Sequence, residues 1–248
     1  MAGYGCESFP VSIVPFTEEA AMALDSQDKL AGFQSQFFIP GGNTPQYYFC
    51  GNSLGLQPKS VRAALDQELE DWAAFGVEGH FHAKHPWMPY HSELRELLAT
   101  CVGAKSLEVV AMNSLTVNLH LLMVSFYRPT TQRPAIIIEQ GAFPSDRYAV
   151  ESQIRFHGYN PDDCLIEVAA DPKTGIVSMD ALQAALEQHG QRTALVLWPG
   201  VQYRTGQAFD LQAVTELGHR YGCRVGFDLA HAAGNLPLQL HDSNADFA

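Results

Sequence analysis

Lysine is scarce in this sequence, and so is positive charge altogether. Its 15 Lys and Arg residues face 27 Asp and Glu, a formal net charge of −12. That balance leaves no electrostatic case for binding nucleic acid or an anionic membrane. No apolar run approaches the roughly 18 residues of a membrane span. Met1–Pro15 has neither a basic region nor a cleavable apolar stretch, so no secretory signal is expected. Cysteine is thin and unpatterned: Cys6, Cys50, Cys101, Cys164 and Cys223 are odd in number and never spaced Cys-x-x-Cys. A disulfide framework and a thiolate zinc site are both disfavoured. Internal repeats and low-complexity segments are missing as well. The expectation is a cytoplasmic protein with free thiols. Its 248 residues, 46% apolar and 17% charged, suffice for one large α/β domain with an N-terminal extension, or for two small domains.

What is present changes character along the chain. Residues 1–50 read as irregular, with a loop at Gly41-Gly42-Asn43-Thr44-Pro45. Val61, Leu65, Leu69 and Trp72 recur at helical spacing over Ser60 to Phe75, with Pro58 near the start. Gly76 to Pro89 reads as a loop and Glu93 to Val102 as a helix. From about residue 105, short apolar runs of strand type alternate with amphipathic stretches. The runs are Glu108–Met112, Ala135–Glu139, Leu165–Val168, Thr193–Trp198 and Arg224–Phe227. The helices between them are Thr116–Phe126, Ser145–Phe156, Met179–His189 and Leu211–Tyr221. Ser178 and Asp210 occupy N-cap positions, while Gly190 and Gly222 stand where helices should stop. Strand and helix in alternation predict an α/β fold, a mainly parallel sheet covered on both faces. Such sheets bind ligands beyond the carboxyl ends of their strands, which directs attention to the polar residues closing each run.

Three of those ends carry candidate chemistry. Asn113-Ser114-Leu115-Thr116-Val117-Asn118 leads into a helix; free N–H groups and hydroxyls there suit an anion, and ordinary capping by Ser114 or Thr116 is the competing reading. In Gln140-Gly141-Ala142-Phe143-Pro144-Ser145-Asp146, Phe143 can stack on a flat ligand or pack into core. Asp146 can accept a hydrogen bond from a ligand or favour the helix start. Gly226-Phe227-Asp228-Leu229-Ala230-His231 sets a carboxylate at the end of a buried strand. Burial of an unpaired carboxylate costs several kcal/mol, so Asp228 needs a cation or donor. A protonated pyridine nitrogen and a structural salt bridge serve equally well. His231 can reach a cofactor or be a satisfied core histidine; metal ligation by the pair lacks a third ligand. Gly51-Asn52-Ser53-Leu54-Gly55 reads by itself as a structural turn. His80, His82, His85 and His91 gather around Trp87 without a carboxylate or thiol at a useful offset, which weakens a zinc reading.

Taken in order, five strings resemble the kynureninase family of fold-type-I pyridoxal-phosphate enzymes. They are Gly51-Asn52-Ser53-Leu54-Gly55-Leu56-Gln57-Pro58, Asn113 to Leu119, Ala142-Phe143-Pro144-Ser145-Asp146, Gly200-Val201-Gln202-Tyr203-Arg204-Thr205-Gly206-Gln207 and Gly226 to Ala232. The resemblance implies pyridoxal 5'-phosphate as cofactor, with its phosphate at Leu115 and Thr116. Phe143, followed by Pro144 and Ser145, would stack on the ring. Asp146 and Asp228 would lie near the ring nitrogen and His231 at the cofactor edge. Ser53 and His80 match substrate-contacting positions. Part of the family has a hydroxyl residue where this chain has Pro199, and that side-chain contact cannot be made here. The implied reaction is hydrolysis of L-kynurenine or 3-hydroxy-L-kynurenine to an anthranilate and L-alanine, in tryptophan degradation or NAD biosynthesis. The family also implies a homodimer. A cysteine desulfurase or aminotransferase relative is disfavoured by the Phe-Pro-Ser-Asp and Asp-Leu-Ala-His strings.

The scarce lysines return here. Lys29, Lys59, Lys84, Lys105 and Lys173 are the only ones. The family's Schiff-base lysine follows the Asp-x-x-His segment by roughly two dozen residues, in keeping with the cofactor chemistry, and so is expected beyond Ala248. The expected organisation is an extension over 1–58 and part of a large cofactor domain over 59–248. Further strands are expected between Arg224–Phe227 and Glu108–Met112, whose backbone edges would otherwise be bare. Residues 1–248 alone are expected to bind cofactor weakly, to lack hydrolase activity and to aggregate. A non-catalytic cofactor-binding protein without the lysine is the alternative from another class.

Overall fold

The computed structural model describes residues 15–42 and 46–248. Cys6, nearly all of the Met1–Pro15 stretch and Asn43–Pro45 of the expected loop lie outside the described residues. The chain divides into two compact units, Met1–Gly76 and Val77–Ala248.

In the first unit, residues expected to be irregular form helix α1 (Glu18–Gln27), whose N-cap Thr17 accepts from the Ala20 N–H at 3.2 Å. The sequence hid it because no apolar period marks it, and none of its residues is buried. A single antiparallel bridge joins Phe37 to Pro58. Helix α2 (Val61–Phe75) matches its expected span and stops at Gly76, which takes the left-handed φ of 54°. Its apolar period is real, yet Leu65, Leu69 and Trp72 all stand exposed.

In the second unit, the expected loop after Gly76 contains one helical turn, α3 (Gly79–His82). The Glu93–Val102 helix is split into α4 (Tyr90–Glu93) and α5 (Arg95–Val102). Then follow α6 (Leu115–Phe126), β1 (Ala135–Glu139), α7 (Pro144–Phe156), α8 (Pro161–Cys164), β2 (Leu165–Val168), α9 (Met179–His189), β3 (Thr193–Pro199), α10 (Leu211–Arg220), β4 (Arg224–Asp228) and α11 (Leu240–Ser243). Ser178 and Asp210 cap α9 and α10 through their side chains, as their positions predict. The four strands form one parallel sheet in the order β2-β1-β3-β4.

The period of two along buried strands sorts the core into two layers. Ile136, Ile138, Leu195 and Leu197 pack with Leu119 and Met123 of α6 and Val150 and Ile154 of α7. Ile137, Val196 and Trp198 face the other way, onto Leu182 and Leu186 of α9 and Val214 and Leu217 of α10. A strand with both faces covered is apolar throughout, which is why β1 reads Ala-Ile-Ile-Ile before its terminal Glu139.

Two expectations are corrected. Glu108–Met112 is not a strand: Val109 is extended, but no strand forms there, because extended backbone becomes a strand only by pairing. The outer side of β4 is not bare either. Phe227 N–H donates to Phe247 O at 3.1 Å, and Asp246 N–H donates to Val225 O at 2.9 Å, so the segment after α11 runs parallel beside it. Gly226 makes that approach possible, since a Cβ there would lie 2.1 Å from the Phe247 ring. Among the described residues no helix is long and apolar enough to cross a membrane.

Candidate active site

Parallel strands carry their carboxyl ends to one rim, and three polar groups gather there. Asp228 closes β4 and is paired in register with Pro199 of β3, whose successor Gly200 donates to Asp228 O at 2.8 Å. Glu139 closes β1 and is 2% exposed. Asp146 lies in the first turn of α7, buried, its N–H bonded to Phe143 O at 3.0 Å.

The electrostatics of the cluster are set by burial and by the carboxyls' effect on one another. Burial pushes the Asp146 carboxyl well above the usual carboxylate range. A hydrogen bond with Asp228 and the Asp228 charge add to the rise, and Glu139 adds a little more. The Ser145 hydroxyl, 3.4 Å from Asp146 Oδ1, opposes it. Glu139 is pushed up to about 7 by burial, against a stabilising contact from Gln202 and with a further upward push from Asp228. Asp228 Oδ1 accepts from the Ala230 N–H at 2.8 Å. No Lys, Arg or His among the described residues forms a salt bridge with Asp228. Of the two readings left open for Asp228, the structural salt bridge is therefore not what the structure contains.

Around this cluster the other expected residues take distinct places. Phe143, the residue preceding α7, is 45% exposed rather than packed into core, and its ring meets Tyr203 edge-on at 5.1 Å. Pro144 occupies the first helical position, where its fixed φ suits the helix start. Tyr203 also faces the half-buried His231, at 6.4 Å. At the start of α6, Ser114 makes no side-chain capping bond. Asn118 instead closes the preceding turn, accepting from Asn113 N–H at 3.0 Å and donating to Asn113 O at 3.1 Å. Leu115 and Thr116 thus open a helix whose N–H groups are not taken by a Ser114 cap, an arrangement suited to an anion. A cavity of about 360 Å³ lies between that helix start and the end of β4, lined by Leu115, Asn118 and Leu119 on one side and Asp228, Leu229 and Ala230 on the other.

Two further expected residues have local partners of their own. His80, on α3, packs its ring against Phe81 and Trp87. Ser53 sits exposed on a turn of the first unit, its N–H bonded to Cys50 O. The neighbouring histidines go to separate partners, His82 to Glu78 and His85 to Glu93. Conversely, Glu139, Gln202 and Tyr203 belong to the rim, although the sequence assigned them no role. For Glu139 the signal was available, since it closes an apolar run as Asp228 does. Lys173 lies in the loop that follows β2, while Lys29 and Lys59 belong to the first unit.

Residues 47–248 match the Aminotransferase class-V family. The chain is similar to kynureninases of Stenotrophomonas maltophilia (strain K279a), 56% identical over 229 residues, and Xanthomonas euvesicatoria pv. vesicatoria (strain 85-10), 59% identical over 229 residues. Each match covers 92% of this chain and 54% of the relative, so the chain spans about half the length of the curated relatives it matches. Among solved structures, the cysteine desulfurase CsdA from Escherichia coli superposes with a TM-score of 0.69 at 19% identity, over 89% of this chain and 54% of that one. A C-DES variant with glycine covalently linked to its PLP cofactor gives 0.64 at 21% identity, over 87% and 54%. At such identities these two speak for the fold alone, and it is the fold-type-I α/β architecture.

Proposed function

Since this chain belongs to the class-V aminotransferase family, we propose that it is the pyridoxal-phosphate-binding part of a kynureninase. The whole protein hydrolyses L-kynurenine or 3-hydroxy-L-kynurenine to anthranilate or 3-hydroxyanthranilate and L-alanine. The observation that carries the reading is Asp228: a carboxylate at a strand end, beside the Asp146 and Glu139 carboxyls, with no salt bridge to it among the described residues. A protonated pyridine nitrogen supplies what the cluster lacks. The residues present fit that group in two further respects. The start of α6 has no side-chain cap at Ser114 and suits a phosphate, and the half-exposed Phe143 offers a ring face.

In this reading Leu115 and Thr116 hold the phosphate through backbone N–H groups and the hydroxyl. Phe143 stacks on the ring, with Pro144 and Ser145 fixing the turn that presents it. Asp228 pairs with the ring nitrogen, Asp146 supports Asp228, and His231 lies at the cofactor edge. The bound cofactor supplies an electron sink for the pair released at the substrate's α-carbon. Asp228 would face the ring nitrogen, and the Asp146 carboxyl, raised by burial and by Asp228, would support it through the hydrogen bond between them. Ser53 and His80 are proposed as substrate contacts on sequence grounds. Residues 59–248 are read as part of the large cofactor domain and 1–58 as its extension. The whole protein is read as a cytoplasmic homodimer of tryptophan degradation or NAD biosynthesis. The exposed stripe of Leu65, Leu69 and Trp72 on α2 supports an apolar partner surface.

No lysine stands on the segments 113–118, 139–146, 199–207 and 226–231 that carry the proposed cofactor contacts, which favours one qualification. Residues 1–248 alone should bind the cofactor noncovalently and turn over nothing. The deciding experiment compares the full-length protein with residues 1–248. Full-length protein is expected to absorb as a lysine-linked cofactor and to release anthranilate from kynurenine. Turnover by residues 1–248 with added cofactor would overturn the qualification. Full-length protein that binds cofactor but leaves kynurenine intact would favour the non-catalytic reading.

A further inference from the structure

Gln202 is buried, and every polar group of its side chain is engaged. Its Oε1 accepts from the N–H of Arg204 at 2.6 Å, the N–H of Thr205 at 3.0 Å and the Thr205 hydroxyl at 3.4 Å. Three donors on one atom fix which end of the amide is oxygen. Nε2 must then point the other way, where it donates to Gly141 O at 3.3 Å and reaches Glu139 Oε1 at 3.5 Å. The Gln202 backbone closes its own loop, N–H to Gln207 O at 2.8 Å and O from Gly206 N–H at 2.9 Å. One side chain therefore ties the loop after β3 to the loop after β1. Gly141, with φ of 74°, adopts the left-handed turn of the latter loop. The residues next along on the two sides are Tyr203 and, two positions after Gly141, Phe143, whose rings meet at 5.1 Å.

We infer that Gln202 is a positioning residue, clamping two loops so that Tyr203 braces Phe143 in the orientation that receives a flat aromatic ring, with Glu139 as the buried anchor of the clamp. The assignment rests on the proposed cofactor reading and adds to it a specificity element outside the groups that touch the cofactor. Glu139 suits the anchor role because its second oxygen, Oε2, is buried without a hydrogen-bond partner. Among the described residues such a carboxyl has only Gln202 to orient it, and loss of that donor leaves it with none of them.

The test uses the full chain and deoxypyridoxine phosphate, which has the ring and phosphate but no aldehyde, so binding needs no lysine. Gln202→Glu keeps the acceptor for Arg204 and Thr205 but sets oxygen against Gly141 O and Glu139. Its affinity for the probe should fall about tenfold, the effect of one well-placed hydrogen bond and its unsatisfied partners. Adding Glu139→Gln returns a donor across the gap, and the double variant should recover at least about threefold of that loss. Amide hydrogen exchange at 141–143 and 203–205, measured without probe, should quicken in Gln202→Glu and slow again in the double variant. A residue that merely holds the fold together would lower melting temperature without this pattern of loss and rescue. Probe affinity within twofold of wild type for Gln202→Glu, or no rescue by the second change, overturns the positioning role. Unchanged exchange at 141–143 overturns the clamp itself. Wild-type chain that fails to bind the probe would instead count against the cofactor reading, leaving the clamp to be judged by exchange.

Discussion

Strand β4 has a carboxylate at each end, and the two are treated in opposite ways. At its amino end, Asp246 receives Arg224 at 2.5 Å, His219 at 2.8 Å and the Val225 N–H at 2.8 Å. Burial pushes its carboxyl up, but His219, Val225 and Arg224 outweigh that push and hold it below the usual range. At its carboxyl end, Asp228 meets one backbone N–H and two more acids. A carboxylate that serves the fold is satisfied by the fold. In the proposed reading, one left among its own kind at the rim is matched by a cation that arrives from outside.

The largest effect is expected at Asp228. Asp228→Ala in the full chain should weaken binding of deoxypyridoxine phosphate by roughly 100-fold, the scale for truncating one partner of a buried charged pair, as followed by fluorescence titration. Its melting temperature should change little or rise, since the Asp228 charge that disfavours ionisation of Asp146 and Glu139 is removed. Asp246→Ala should do the reverse, costing about 2 kcal/mol in urea unfolding with probe affinity unchanged. Equal effects of the two substitutions on binding would abolish the distinction.

The two ends also respond to pH with opposite sign. Glu139 and Asp146 have raised folded values, so the folded state holds protons that the unfolded state has released. Their contribution is fully present below the unfolded value and is lost as pH rises through about 7 for Glu139. Asp246 has a depressed value, so its contribution is present above its unfolded 3.8 and is lost as pH falls below that. Glu139→Gln should flatten the decline in melting temperature between about pH 5 and 8 and leave the acid limb untouched. The smallest effect concerns the ring wall: Phe143→Leu should weaken probe binding by about three- to tenfold, the worth of an aromatic contact beyond its area, with stability unaltered.

The two ends differed in legibility too. Asp228 was readable because it closes an apolar run and stands three residues before a histidine, within a string that carries family resemblance. The strands themselves were readable to within a residue, since burial on both faces makes them continuously apolar. Glu108–Met112 misled for the same reason: local composition specifies extended backbone, while a partner decides whether it becomes a strand. Helix α3 escaped because a single turn is too short for a period. Gln202 and Glu139 escaped because their roles depend on which loops the crossovers bring together. They are 63 residues apart in sequence. Asp246 was invisible as the counterpart of Asp228, since its partners His219 and Arg224 are brought to it by the turn after α11.

The Asn113–Asn118 clasp has a thermodynamic corollary. Because one side-chain amide already fixes the approach to α6 at both its donor and acceptor ends, little backbone freedom is left there to surrender when an anion docks. If the proposed phosphate docks at that helix start, association should carry a small entropic penalty and no slow ordering phase, and Asn118→Ala should enlarge the penalty and introduce the phase.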